Sequence, residues 1–187
     1  MESRIVFYSA EEIYEEASKL PMLKDYPFPK DEFILNHGAA SAISLVDQGE
    51  DLTLAYFVCT VQGESNDLIE EMWLDGGIEA TVLAVERELM REAEMLGRNL
   101  SLQKAPGRDD MPLAMGKVIY EITEAYRIGV EVTEEGLLKP QFSRSGVYAI
   151  GNGEATDHKG CGGCSGCKGN SGGCGMCAQF VYKDRSL

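Results

Sequence analysis

The sequence lacks a basic excess, long apolar runs and internal repeats. Of its 187 residues, 17 are Lys or Arg and 31 are Asp or Glu, which gives a formal net charge of -14. Because this charge repels phosphate backbones and anionic lipid, it weighs against nucleic acid or a membrane surface as the main partner. No run approaches the roughly 18 apolar residues that a membrane-spanning helix needs. No repeat of about 20–50 residues is visible, so a repeat architecture is not expected.

Signals for secretion and for conventional catalysis are also missing. The N-terminal residues Met1 to Arg4 are not followed by an apolar segment, because glutamates soon follow at positions 11, 12, 15 and 16. A secretory signal needs such a segment, so we expect a cytoplasmic protein. The sequence also shows no convincing nucleophile–base pair and no phosphate-binding glycine loop. These absences weigh against a conventional acid–base enzyme.

The composition changes abruptly near Gly151. Residues 1–150 carry 28 acidic and 13 basic side chains, whereas residues 151–187 carry three acidic and four basic ones. Ten of the 21 glycines lie between Gly151 and Gly175. A segment so rich in glycine cannot build a hydrophobic core. We therefore predict a globular body, residues 1–150, followed by a Gly/Cys-rich metal-binding tail, residues 151–187.

The body is predicted to be a mixed α+β domain with an antiparallel sheet. Apolar periodicity predicts a helix over 10–19 capped by Ser9, a hairpin of residues 41–46 and 52–61, a helix over 66–97 and a final strand over 146–150. Gly76 and Gly77 either interrupt the long helix or mark a close contact with another element. A second helix is predicted to begin near Met111 and Pro112, with Asp110 as its cap. We expect Ile119, Ile122 and Tyr126 to form its apolar face.

Five short motifs follow one another in the last part of the body. They are Ala105–Arg108, Ile128–Val130, Val132–Glu134, Pro140 and Ser143–Tyr148. This order resembles the reactivation domain of cobalamin-dependent methionine synthases, in which a P-G-Y loop precedes a helix, an I-G-x-x-L-T-E-S segment, and then P-x-x-S-x-S-G before a final strand. The similarity is clear over about residues 97–150, looser over 66–97 and hardly present in the first 60 residues. It implies a twisted antiparallel sheet with packed helices.

The resemblance also implies a ligand loop. In that family an R-x-x-P-G-Y loop binds S-adenosylmethionine beside the corrinoid, and its arginine holds the ligand carboxylate through a bidentate contact. The corresponding candidate residues are Gln103, Ala105, Pro106, Gly107 and Arg108. Here glutamine replaces the arginine and arginine replaces the tyrosine. We therefore expect weak or absent binding of S-adenosylmethionine.

Five of the six cysteines are concentrated in the tail. They are Cys161, Cys164, Cys167, Cys174 and Cys177, and the sixth, Cys59, lies in an apolar strand where we expect it to be buried. Thiolates two residues apart suit a metal better than a disulfide framework. The C-x2-C-x2-C triplet is partly similar to bacterial ferredoxins, which favours an iron–sulfur cluster of the four-iron type. Structural zinc bound by four of these cysteines is the alternative, and a metal-free tail, redox-active or disordered, is the third.

Together, the two patterns predict an accessory redox protein. We expect it to pass an electron from the tail cluster to the Co(II) of a corrinoid protein or cobalamin-dependent methyltransferase, as in reductive activation. Two alternatives belong to other functional classes. One is a methyltransferase component that binds S-adenosylmethionine or a corrinoid directly, and the other is a non-enzymatic interaction module stabilised by zinc.

Overall fold

A five-stranded antiparallel sheet forms the centre of the domain. The computed structural model describes residues 2–65, 67–108 and 111–152. In chain order the elements are β1 (Glu2–Tyr8), α1 (Ala10–Ser18), α2 (Asp31–Asn36), β2 (Ala39–Asp47), β3 (Leu52–Val61), α3 (Leu68–Met95), β4 (Asn99–Leu100), α4 (Met115–Thr123), a 3₁₀ helix (Ala125–Ile128), β5 (Glu131–Val132), β6 (Leu138–Lys139) and β7 (Ser143–Gly151). The predicted α+β class, hairpin, long helix and final strand are confirmed.

The strands of the sheet lie in the order β1-β2-β3-β7-β4, while β5 and β6 form a separate two-stranded sheet. The central strands β2 and β3 are apolar on both sides because helices cover both faces of the sheet. Helices α1, α2 and α3 cover one face, where the large buried side chains include Tyr14, Phe57, Trp73, Ile78 and Tyr148. Helix α4 and the 3₁₀ helix cover the other face, with Ala40, Ala42, Val58, Ile119 and Ile128 buried there. None of the helices in the described part of the chain is long and apolar enough to cross a lipid bilayer.

The 28-residue helix α3 runs through Gly76 and Gly77 without a break. A Cβ atom at Gly76 would lie 2.3 Å from Leu23 Cδ1, and one at Gly77 would lie 3.1 Å from the ring of Tyr14. The two glycines therefore mark the close contact of α3 with α1 and the segment after it. The helix ends as predicted at Gly97, whose φ is 64°. Its N–H donates to the Glu94 carbonyl and the next N–H to the Ala93 carbonyl, which is a Schellman cap.

Helix α4 departs from the prediction at both ends. It begins at Met115 rather than near Met111, because both backbone groups of Met111 hydrogen-bond to the preceding loop and the chain then enters α4 through i→i+3 turns. The expected cap Asp110 lies outside the described residues. At the other end, Glu124 has a left-handed φ of 54°, which ends the helix. Tyr126 consequently belongs to the 3₁₀ helix and is 60% exposed. The prediction that it lies on the apolar face of α4 is therefore wrong.

Candidate functional site

The candidate ligand loop contains a tight turn at Ala105–Arg108. The Arg108 N–H donates to the Ala105 carbonyl at 3.0 Å, and Gly107 has a φ of 79°. Proline followed by a glycine with positive φ is the arrangement of a type II turn. The Gly107 N–H donates to the Met111 carbonyl at 2.9 Å, which closes the loop behind the turn. The turn is therefore fixed by its own backbone and does not require a ligand to hold its shape.

The loop is fastened to the edge of the sheet beside β7. Lys104 and Val147 exchange two backbone hydrogen bonds, each 2.9 Å long. Just before them, the Ser101 N–H donates to the Ala149 carbonyl, and the Ala149 N–H donates to Ser101 Oγ. These bonds place the turn at a defined position relative to the final strand, with Lys104, Gly107 and Arg108 exposed.

The Gln103 side chain lies over Gly146 on the face of the sheet that α3 covers. A Cβ atom at Gly146 would lie 2.9 Å from Gln103 Nε2, 2.9 Å from the Lys104 carbonyl oxygen and 2.8 Å from Phe57 Cε1. The Tyr148 hydroxyl donates to Gln103 Oε1 at 3.4 Å. Burial raises the pKa of Tyr148, and the negative charge of Glu86 raises it further, so the hydroxyl stays protonated and can donate. Gln103 thus contributes a neutral amide to this site.

A guanidinium group lies on the same face of β7. Arg144, Gly146 and Tyr148 alternate along the strand and so share one face. Arg144 Nη2 lies 3.1 Å from Asp75 Oδ1, and its Nη1 donates to Glu79. Both carboxylates belong to α3, so Arg144 connects this helix to the strand. The positive charge of Arg144 is therefore already paired with two carboxylates.

Other residues of the motifs shape the fold. Thr133 accepts a hydrogen bond from the Leu137 N–H through Oγ1 and donates its own N–H to the Leu137 carbonyl, which closes the β5–β6 hairpin. The hydroxyl groups of Ser143 and Thr60 are hydrogen-bonded between β7 and β3. These residues account for part of the sequence resemblance without contributing to the ligand loop.

The predicted metal ligands Cys161, Cys164, Cys167, Cys174 and Cys177 lie outside the described residues. Within the ranges 2–65, 67–108 and 111–152, no group of three or more His, Cys, Asp or Glu side chains is suited to hold a metal ion. Cys59 is buried in β3, as expected, and burial raises the pKa of its thiol. Such a thiol stays protonated, so Cys59 is a packing residue of the core.

The sequence alone did not identify Tyr148 as a neighbour of Gln103. Its proximity follows from the pairing of the loop with β7, which joins residues more than 40 positions apart. One available signal was Gly146, because a glycine inside a strand often marks close approach of another backbone. The Lys104 carbonyl makes that approach here.

Comparison with solved structures relates this fold to a known one. The chain is similar to the crystal structure of the MetH reactivation domain bound to AdoHcy, with a TM-score of 0.62 and 12% sequence identity. The match covers 83% of this chain and 80% of the other. The chain has the reactivation-domain fold. At this identity the likeness establishes the fold alone. No family model matches the sequence, and no curated protein matches it.

The reactivation-domain fold extends beyond the segment that carries the sequence motifs. A match over 83% of the chain must include part of residues 1–65, where the motif similarity was hardly present. The sheet explains this result, because β1, β2 and β3 supply three of its five strands from that region. The predicted fold class is therefore confirmed across the body.

Proposed function

We propose that this chain is an accessory component of a cobalamin- or corrinoid-dependent methyltransferase system and acts in reductive activation of its cobalt. The observation that carries the proposal is the reactivation-domain fold together with the Pro106-Gly107 turn at the motif position. Three backbone hydrogen bonds and one to the Ser101 hydroxyl hold the loop against β7, so its exposed tip presents Gly107 and Arg108 in a fixed geometry. A preformed loop of this kind suits docking of a partner or ligand at little cost in conformational entropy.

The finer proposal concerns the electron. The five tail cysteines offer thiolates at spacings that suit an iron–sulfur cluster. One electron leaving such a cluster would convert Co(II) to Co(I) in the partner, and Co(I) can then accept a methyl group. The described residues supply no rival redox centre, since Cys59 is a buried, protonated thiol. The support for this step is the tail sequence joined to the reactivation-domain fold.

The absorbance of the cobalt centre tests this proposal. Reduced full-length protein, mixed anaerobically with a Co(II) corrinoid protein from the same cell, should produce Co(I) or, with a methyl donor, methyl-Co(III). The Cys164→Ser and Cys174→Ser variants should lose metal and reduce cobalt much more slowly. Cys59→Ala is the matched control, because it removes a cysteine that lies in the core. Equal rates for all four proteins would refute the electron-donor role.

Metal content separates this role from the zinc alternative. An iron–sulfur protein purified without oxygen should be brown, with broad absorption near roughly 400 nm and matching amounts of iron and sulfide. A colourless protein with stoichiometric zinc would instead favour a non-enzymatic interaction module.

A second candidate function is binding of an adenosyl ligand at the loop. It is favoured by the AdoHcy in the neighbouring structure and by the Pro106-Gly107 turn. Gln103 offers an amide in place of a guanidinium fork, and loss of such a charge-assisted contact costs roughly 2–3 kcal/mol. Affinity for S-adenosylmethionine should then fall on the order of 30- to 150-fold below a site with the fork. The Tyr148 hydroxyl can turn to accept a hydrogen bond from a guanidinium, so Gln103→Arg should be tolerated.

Calorimetry with S-adenosylmethionine tests this second candidate. We expect weak or absent binding to the unmodified chain and partial recovery in Gln103→Arg. The control Gln103→Lys adds one positive charge but no bidentate guanidinium, so it should recover less affinity for S-adenosylmethionine than Gln103→Arg. Tight binding to the unmodified protein would contradict the role assigned to position 103.

A further inference from the structure

A groove lies at the end of the sheet, beneath the last turn of α3. It has a volume of about 400 Å³, and Leu45, Ile150 and Leu96 form its apolar part. Glu2, Asp47 and Glu92 form its polar part. The strand residues come from the start of β1, the end of β2 and the end of β7, so the groove crosses the sheet rather than following one strand. It is separate from the ligand loop, and none of its residues has been given a role in the proposed function.

The charge of the groove is strongly negative. The basic side chain Arg4 contacts this lining: its Nε lies 3.3 Å from Glu88 Oε1 and its Nη1 donates to Glu92. Glu88 and Glu92 therefore share one guanidinium, and Glu2 and Asp47 add two further carboxylates to the groove. The last turn of α3 contains no basic residue, so the partial negative charge of this helix end adds to the same potential.

One of these carboxylates is held in place by the sheet. The Thr53 hydroxyl, which is buried, donates to Asp47 Oδ1 at 2.7 Å. This bond fixes the carboxylate at the rim of the groove. The Asp47 side chain therefore loses less conformational entropy when a partner binds.

The groove is also bordered by exposed apolar side chains. Leu96 is 59% exposed and Met95 is 80% exposed, and both lie within one turn of Glu92 on α3. An occupant that contacts these side chains needs apolar groups of its own. An occupant that meets the carboxylates needs a positive charge, and the length of an arginine or lysine stem allows both contacts at once.

We propose that this groove docks a segment of a partner protein that presents an arginine or lysine flanked by apolar residues. Charge complementarity selects this occupant, because phosphate and anionic lipid are repelled by the same carboxylates. A groove of about 400 Å³ admits one short segment, so binding is expected to be weak and to depend on salt. The docking surface does not depend on the corrinoid role of the chain.

Titration of the full-length chain with short peptides tests the proposal. The probes are acetylated and amidated Ala-Leu-Arg-Leu-Ala and two matched peptides with glutamine or glutamate at the centre. Backbone amide shifts in nuclear magnetic resonance spectra report the site. The arginine peptide should shift the amides of Asp47, Thr53, Leu96 and Ile150 and should bind at least tenfold more tightly than the glutamate peptide.

Two variants complete the experiment. Asp47→Asn keeps an acceptor for Thr53 but removes the charge, so it should weaken the arginine peptide about threefold, the size expected for one exposed ion pair. Asp25→Asn, an exposed carboxylate outside the groove, should leave the affinity unchanged. Equal affinity for all three peptides, or shifts that map away from the groove, would overturn the proposal. Argininamide binding as tightly as the arginine peptide would also overturn it, because the groove would then recognise only a cation.

Discussion

Gly146 is the residue on which the geometry of the ligand loop depends most directly. The Gln103 side chain and the Lys104 carbonyl both occupy the space that a side chain at position 146 would need. Phe57 fills the remaining space from β3, with which β7 pairs at this point. A larger residue therefore displaces the loop, the core or both.

We expect Gly146→Ala to lower the free energy of unfolding by roughly 1–3 kcal/mol, the usual cost of forcing a methyl group into a filled space. Gly38→Ala is the matched control, because a Cβ atom there meets nothing within 4 Å. That variant should be as stable as the unmodified chain or slightly more stable. Urea unfolding followed by circular dichroism measures both. A Gly146→Ala protein of unchanged stability would show that the loop does not cross the strand in this way.

At the scale of single elements, the two helices α1 and α3 begin differently although both follow a residue of the capping type. Asp67 precedes α3, and its Oδ1 accepts hydrogen bonds from the N–H groups of Ile69 and Glu70 at 2.8 and 2.9 Å. Ser9 precedes α1 at the predicted position, but its side chain makes no capping hydrogen bond. Sequence identifies the position of a cap, whereas the side-chain rotamer decides whether the cap contributes.

This difference predicts unequal effects of the same substitution. Asp67→Ala should cost about 1 kcal/mol, because two helix N–H groups lose their acceptor and the negative charge at the helix N-terminus is removed. Ser9→Ala should change the stability by less than about 0.5 kcal/mol, the usual range for a surface substitution. Thermal unfolding of both variants compares them directly, and an equal loss of stability in the two would disagree with the observed caps.

The elements also show what the sequence could predict. The hairpin of β2 and β3 and the helix α3 follow from local apolar periodicity, and the structure contains all three. The predicted start of α4 was wrong because the backbone N–H and carbonyl of Met111 are hydrogen-bonded to the loop. Apolar periodicity cannot show such a contact. The loop residues Gln103–Arg108 were found by motif, but their neighbour Tyr148 is brought there by strand pairing. Local patterns thus predict elements, and long-range pairing completes the site.

Over the whole molecule, charge is divided unequally between the parts of the chain. Residues 1–96 contain 21 acidic and six basic side chains, whereas residues 97–150 contain seven of each. The acidic part supplies α1, α2 and α3, which cover one face of the sheet, and the neutral part supplies α4, which covers the other. Partners of opposite charge are therefore expected to approach the face that carries α1 and α3.

Within the described part of the chain, the buried residues of both apolar cores lie between Ile13 and Ile150, so we expect the body to fold without the tail. The structure also refines the boundary. Gly151 still pairs with Leu52 and Asn99, and Asn152 Nδ2 donates to Asp51 Oδ1 at 2.8 Å. A variant ending at Asn152 should therefore keep the unfolding temperature of the full chain to within a few degrees. A variant ending at Ile150 loses these contacts and should be less stable by at least about 1 kcal/mol, the net value of a single hydrogen bond. Thermal unfolding of the three proteins at one salt concentration measures this order, and failure of the Asn152 variant to fold would show that residues 153–187 contribute to the stability of the body.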